Sequence, residues 1–183
     1  MAAKNSGESS FDVVVIGGGP GGYVAAIRAA QLGLNAACVE ADKLGGVCLN
    51  IGCIPTKALL TSAFLVNELA NAGNHGIDIS GYEVSLGPAQ KRSRGVADQM
   101  SKGIQFLFKK NKVTHIEGYG RLLGGGRVEV EKDGQKDTYS AANIIVATGS
   151  RPRSFPFLEI DEERIWSSTG ALCQDKAPET WVV

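Results

Sequence analysis

Residues 11–42, FDVVVIGGGPGGYVAAIRAAQLGLNAACVEAD, constrain the fold more than any other stretch. An apolar strand, Val13 to Ile16, runs straight into glycines and then into a helical pattern, and NAACVE supplies a second strand ending at Glu40. Gly17, Gly19 and Gly22 fit G-x-G-x-x-G, the spacing that carries a strand into a helix over a dinucleotide pyrophosphate. Each glycine has its own task. Gly17 allows the tight turn, Gly19 lets backbone approach the pyrophosphate, and Gly22 lets helix and strand pack closely. Ala26 and Gly33 are expected to keep the sheet-facing side of the helix small. Phosphates would meet the N–H donors of the helix N-terminus. Glu40 stands about 20 residues on, where a carboxylate accepts from a ribose diol and repels a 2′-phosphate. A turn with no ligand explains the glycines, but not the strand, helix, second strand and acid together.

The remainder extends this βαβ unit into an α/β, Rossmann-like domain with a parallel sheet, helices and a small antiparallel β excursion. ALLTSAFLVNELAN, 58–71, has helical spacing, and a second helix is expected from about Pro88 to Lys110 with Val96, Met100, Ile104 and Phe108 as its apolar stripe. The KRSR and KK runs on that helix read as solvated surface. After Val113 the period shifts toward two, and Asp133–Gly134 signals a hairpin. A buried strand, Ile144 to Ala147, then ends in Thr148, Gly149 and Ser150. Ligands of open α/β sheets bind beyond the carboxyl ends of strands, so this end belongs beside the first glycine turn. The domain reading is a disordered leader over 1–10, one cofactor domain over 11–150, and a connection over 151–183 whose last residues, Trp181 to Val183, resemble the opening of a strand.

Nineteen basic and nineteen acidic residues balance, which argues against nucleic acid or an anionic membrane as partner. No apolar run is expected to approach the ~20 residues that cross a bilayer. Residues 1–10 contain neither an apolar core nor an Arg, which favours the cytoplasm over export or a mitochondrial presequence.

Cys48 and Cys53 stand five apart in GGVCLNIGCIPTKALL. A staple closing so short a loop restricts the unfolded chain only modestly. A zinc site needs about four ligands, and Cys38, Cys173, His75 and His115 lie in unrelated settings, so no metal is expected. Cys38 reads as a core residue. A redox pair remains. A helix beginning near Pro55 would favour a thiolate at Cys53, and Lys57, four residues on, could lower the thiol pKa or be plain surface.

With this C-x4-C segment, and with EGYG, ATGSRP and RIWSSTGAL, the chain resembles the pyridine nucleotide-disulfide oxidoreductases from about Phe11 to Val183. Leu49, Ile54 and KALL are nearer the members that oxidise dihydrolipoyl groups than those that reduce glutathione or mercuric ion. The resemblance implies that the ligand is FAD, with Gly17 to Gly22 on its pyrophosphate and Glu40 on its ribose. Gly45, Gly46 and Cys48 would line the flavin site, Lys57 would approach the ring, and Gly118 with Thr148, Gly149 and Ser150 would contact the cofactor. It implies a Cys48–Cys53 disulfide, with Cys48 as the interchange thiol and Cys53 as the flavin-side, charge-transfer thiolate. The reaction implied is oxidation of protein-bound dihydrolipoamide with NAD+ as acceptor. The partner would be the lipoyl-bearing acyltransferase of a 2-oxo acid dehydrogenase complex or the glycine cleavage lipoyl protein. The family's NAD+-binding domain, and the interface domain that gives a homodimer its His–Glu pair, find no match here. The expectation is therefore a fragment of a longer enzyme. A non-catalytic nucleotide-binding remnant, or a glutathione- or mercuric-type reductase, stays open.

Overall fold

The structure, a computed structural model, describes residues 9–183; the expected leader lies outside the described residues except for Ser9 and Ser10, which belong to the first strand. By internal contacts the chain falls into two units, residues up to Gly46 with Ser101–Ser150, and Val47–Met100 with Arg151–Val183. One cut falls after Ser150, and residues 47–100 group with 151–183. The chain leaves the sheet after Gly46, returns through a long helix, and leaves again after Ser150.

Among the described residues the first unit holds a six-stranded sheet, in the order β3-β2-β1-β6-β5-β4. β1 (Ser9–Ile16) pairs in parallel with β2 (Ala36–Glu40) on one side and β6 (Gln135–Val146) on the other, and β2 pairs in parallel with β3 (Thr114–Glu117). β4 (Tyr119–Gly124) and β5 (Arg127–Lys132) complete the sheet as antiparallel neighbours, with Asp133–Gly134 turning the chain from β5 into β6 as expected. The antiparallel excursion expected after Val113 is present as β4, β5 and the first half of β6. β6 is one strand that pairs with the hairpin along its first half and with β1 along its second, so the two patterns share a sheet.

α1 (Pro20–Gln31) covers one face, and its buried residues are the small Gly22, Ala26 and Ala29. Gly33 takes no part in that packing. It lies beyond the helix with φ +88°, a left-handed position at the helix end that suits glycine, and no neighbour lies within 4 Å of where its Cβ would be. Across the opposite face, Val14, Ile16, Ala37 and Val39 pack with Ile116, Val128, Val130 and Ala141. β4 closes over this core tightly enough that a Cβ on Gly120 would stand 2.9 Å from Ile16 and 3.2 Å from Val39. The strand expected to be buried from Ile144 to Ala147 is only partly so. α1 packs on β1 and β2, leaving Ile145 and Val146 40% and 59% exposed.

The second unit is helical. α2 (Gly46–Ile51) and α3 (Cys53–Ala70) follow each other across Gly52, whose φ −143° and ψ −110° break the helix. Together they correct the expectation about apolar runs, because 46–70 is long and apolar enough by length and composition to span a bilayer. The same composition serves a helix that packs on protein, and the break at Gly52 interrupts the stretch. A single 3-10 turn, Ala72–His75, ends the run. α4 (Leu86–Asn111) starts two residues before Pro88. Its buried stripe is Ser93, Ala97, Ser101, Ile104 and Phe108, whereas Met100 of the expected stripe is exposed. The stripe keeps helical spacing but includes two serines, which hydropathy alone passes over.

The tail is more ordered than a plain connection. Asp161 Oδ1 accepts N–H groups from Ile165, Glu163 and Arg164, which hold its carboxyl below the usual range. Ser167 caps the short α5 (Ser168–Leu172) through Thr169 N–H, and Trp166 meets Trp181 edge to face. Trp181 to Val183 form no strand.

Candidate functional site

In the first unit the carboxyl ends of β1, β2 and β6 converge on the glycine turn. Gly17 donates its N–H to Val39 O at 2.8 Å, Ala147 donates to Ile16 O at 2.8 Å, and Gly118 donates to Glu40 O at 2.9 Å. Gly17 has φ +105°, and a Cβ there would run into the Ala147 carbonyl. A Cβ on Gly22 would strike the Gly17 carbonyl and press on Val15 at 3.4 Å. These two glycines are therefore demanded by the fold itself. Gly19 differs, since the nearest atom to its missing Cβ is the Gly46 Cα at 4.0 Å. Internal packing makes no demand there, which leaves the turn room for a ligand to come close.

Gly19 is also the N-cap of α1, with extended backbone and no side-chain cap, and the first turn carries no acid. The helix therefore presents unsatisfied N–H donors and the positive end of its dipole. Gly45 donates to Gly18 O at 2.8 Å, and a Cβ on Gly46 would lie 2.8 Å from the Gly19 Cα, so residues 45 and 46 line the same turn. Thr148, Gly149 and Ser150 emerge exposed directly after β6. The uncapped helix end, the glycines and the open space at Gly19 fit a dinucleotide pyrophosphate.

Glu40 ends β2 as expected, yet its carboxylate already serves the turn. Oε2 accepts Gly18 N–H at 2.6 Å and Oε1 accepts Asp42 N–H at 2.9 Å. Each oxygen has a second lone pair, so a ribose hydroxyl can still donate to it. Gly118 lies at the bend between β3 and β4 with φ +142°, where a Cβ would lie 2.7 Å from both Val130 and the Glu131 carbonyl. Its glycine is thus explained by packing at the strand ends. Cys38 beneath the turn is fully buried, and burial, with the charge of Glu40, pushes its thiol up to about 12. It is inert as a nucleophile.

In the second unit Cys48 and Cys53 form a disulfide across the α2–α3 break, with Cα atoms 4.6 Å apart. Gly52 makes this closeness possible, because a Cβ there would stand 2.9 Å from Val47 O and 3.4 Å from the Cys48 Cα. The sequence reading missed Gly52; its signal was a glycine directly before a cysteine. Cys53 is the first residue of α3, whose N-cap offers no side chain and whose first turn holds no acid. The helix end therefore favours negative charge at this sulfur. Cys48 is half-buried and Cys53 exposed. Lys57, also exposed, follows Cys53 by one turn of α3.

The basic run of α4 is more than solvated surface. Arg92 donates from Nη1 to Ala58 O of α3 at 3.1 Å, and Arg94 donates from Nη1 to Asn50 O of α2 at 2.9 Å. Asn50 lies in the last turn of α2, where arginine serves a helix end, whereas Ala58 lies inside α3 and its carbonyl also accepts Ser62 Oγ.

His115 on β3 packs edge-on to Phe108, its Nε2 has no hydrogen-bond partner, and burial holds its pKa below the usual value. His75 is exposed on the 3-10 turn. Among the described residues no group of three or more His, Cys, Asp or Glu is placed to hold a metal ion.

The family model for pyridine nucleotide-disulphide oxidoreductases matches residues 11–183. Dihydrolipoyl dehydrogenase 1, mitochondrial, of Arabidopsis thaliana is 48% identical over 98% of this chain, which covers 36% of that protein. Dihydrolipoyl dehydrogenase of Cupriavidus necator is 44% identical over 88% of the chain and 36% of its own length. Among solved structures, LpdA from Mycobacterium tuberculosis superposes with a TM-score of 0.83 at 28% identity, over 92% of this chain and 38% of that one. The chain thus spans about a third of the length of the relatives it matches.

Proposed function

This chain belongs to the pyridine nucleotide-disulphide oxidoreductases, and from that premise we propose that it is the FAD-binding and dithiol-accepting part of a dihydrolipoyl dehydrogenase. The observation that carries the reading is the Cys48–Cys53 disulfide bridging two helices, with Cys53 at the uncapped start of α3.

One thiol of the dihydrolipoyl group, deprotonated to the thiolate, attacks the sulfur of Cys48 and displaces Cys53, which leaves with the bonding electron pair as a thiolate. The second lipoyl thiol then displaces Cys48 from the mixed disulfide. The substrate loses two electrons and two protons as it becomes the cyclic disulfide; the cysteine pair gains both electrons and one proton, on Cys48, and the other proton passes to solvent. The α3 N-terminus and Lys57 lower the cost of the leaving thiolate. FAD, when bound, supplies a two-electron acceptor for the reduced pair, and NAD+ is the final acceptor in a full-length protein. Gly17, Gly19 and Gly22 would take the FAD pyrophosphate, Glu40 the ribose, and Gly45, Gly46, Gly118 and Thr148 to Ser150 the surrounding contacts. The proposed partner is a lipoyl-bearing acyltransferase or glycine cleavage lipoyl protein, and the full-length enzyme would be a homodimer.

The test follows the cysteines directly. Anaerobic dihydrolipoamide should convert the oxidised pair to two alkylatable thiols, with lipoamide formed in equal amount. In Cys48→Ser, lipoamide formation should be lost. Lipoamide formed at the wild-type rate by that variant would refute Cys48 as the attacked sulfur.

A further inference from the structure

We propose that Arg94 is a positioning residue for the redox pair: it anchors the turn between the two cysteines and holds a permanent cation beside it, shifting the pair toward the reduced state. This rests on the redox reading above. Asn50 lies inside the loop that the Cys48–Cys53 bond closes, in the last turn of α2. Arg94 Nη1 donates to that carbonyl at 2.9 Å from a position 44 residues away in sequence. The other guanidinium nitrogens, Nε and Nη2, are enclosed and have no hydrogen-bond partner. Holding one carbonyl requires only a neutral amide. An enclosed guanidinium with two idle donors is a costly way to do it.

The redox chemistry supplies a use for the charge. The oxidised pair is neutral, whereas taking up two electrons and one proton leaves one thiol and one thiolate. A fixed cation nearby lowers the free energy of the second state and leaves the first almost unchanged. α2 carries no charged residue of its own. The other charged groups on the packed helices are Lys57 and Glu68 of α3, and Lys91, Arg92 and Asp98 on the same stretch of α4. Glu68 starts 15 residues beyond Cys53, about 22 Å along the helix axis, beyond effective range at ordinary ionic strength. Asp98, one turn on from Arg94 and farther along α4, opposes part of the effect of the cation. Lys57 and Arg92 add to the effect of Arg94. Arg92 bonds at Ala58, outside the cysteine loop.

The experiment uses the 183-residue chain carrying Cys173→Ser, so that the exposed free thiol does not report. The pair is equilibrated in glutathione buffers and counted by alkylation and mass, and the alkylation rate of the reduced pair is followed against pH. Arg94→Gln keeps a donor for Asn50 but removes the charge. It should shift the equilibrium threefold to tenfold toward the disulfide, about 15–30 mV more negative, and raise the pH midpoint of alkylation. Arg94→Lys should stay within twofold of the parent. A folded Arg94→Gln that matches the parent in both readouts overturns the proposal. Should Arg94→Gln not fold, the parent decides: its more reactive thiol must titrate below the ordinary ~8.5, and a midpoint at or above that overturns the proposal. Neither flavin nor dihydrolipoamide enters the assay. A chain that shows the Arg94 shift but retains no FAD counts against the proposed function alone, and one that retains FAD without the shift counts against Arg94 alone.

Discussion

Three glycines of one motif carry three different constraints, and substitution separates them. Gly22→Ala sets a methyl group against the Gly17 carbonyl, and should cost about 1–3 kcal/mol in denaturant unfolding, the range of an overpacked core site. Gly19→Ala meets nothing nearer than 4.0 Å and replaces a glycine N-cap, so stability should change by less than about 1 kcal/mol. FAD retention should nevertheless fall at least tenfold, since the added methyl group occupies the space proposed for the pyrophosphate. His115 gives the residue scale its pH dependence. Burial lowers its folded pKa, so the unfolded chain binds the proton more readily. Its contribution to stability is complete above the unfolded value of 6.5 and is lost as the pH falls through 6.5 toward the folded value. The melting temperature of the parent should therefore drop between pH 7.5 and 5.5 more than that of His115→Asn. Equal drops would show that the imidazole is not the cause.

At the scale of elements, α4 offers a paired test within one helix. Ser101 Oγ donates to Leu44 O at 2.8 Å in a buried setting, and Ser101→Ala should lose about 0.5–1.5 kcal/mol. Ser93 Oγ is buried with no partner, so Ser93→Ala should be neutral or stabilising. The sequence made α4, the βαβ unit, and the β5–β6 turn legible because each combines a period with its own start or stop signal. It could not separate Met100 from Ser93 and Ser101, because helical spacing marks a stripe but not which side chain finds a carbonyl. The arginine clamps were hidden for a related reason. Arg92 and Arg94 reach carbonyls 34 and 44 residues away, and a charge run read locally looks like surface. Gly120 escaped notice because its constraint comes from Ile16 and Val39, which only the curled sheet brings to it.

For the molecule as a whole, the proposed function makes the disulfide a working part more than a support. Its loop is so short that the chain-entropy model allows about 2 kcal/mol of stabilisation. The reduced chain should therefore remain folded and lose no more than about that amount in denaturant unfolding, whereas collapse on reduction would make the bond a staple. The family signal was legible across nearly the whole chain, because the glycine turn and the cysteine segment each join residue type to spacing. The division into two units was not, since 47–100 and 151–183 come together only through folding. The account's central claim is that the glycine turn in this chain binds FAD. Equilibrium ultrafiltration of the chain with FAD tests it most directly. About one FAD should be retained per folded chain, Gly19→Ala should weaken retention, and excess NAD+ should fail to displace it. A folded chain that retains no FAD, or that gives it up to NAD+, would contradict the claim.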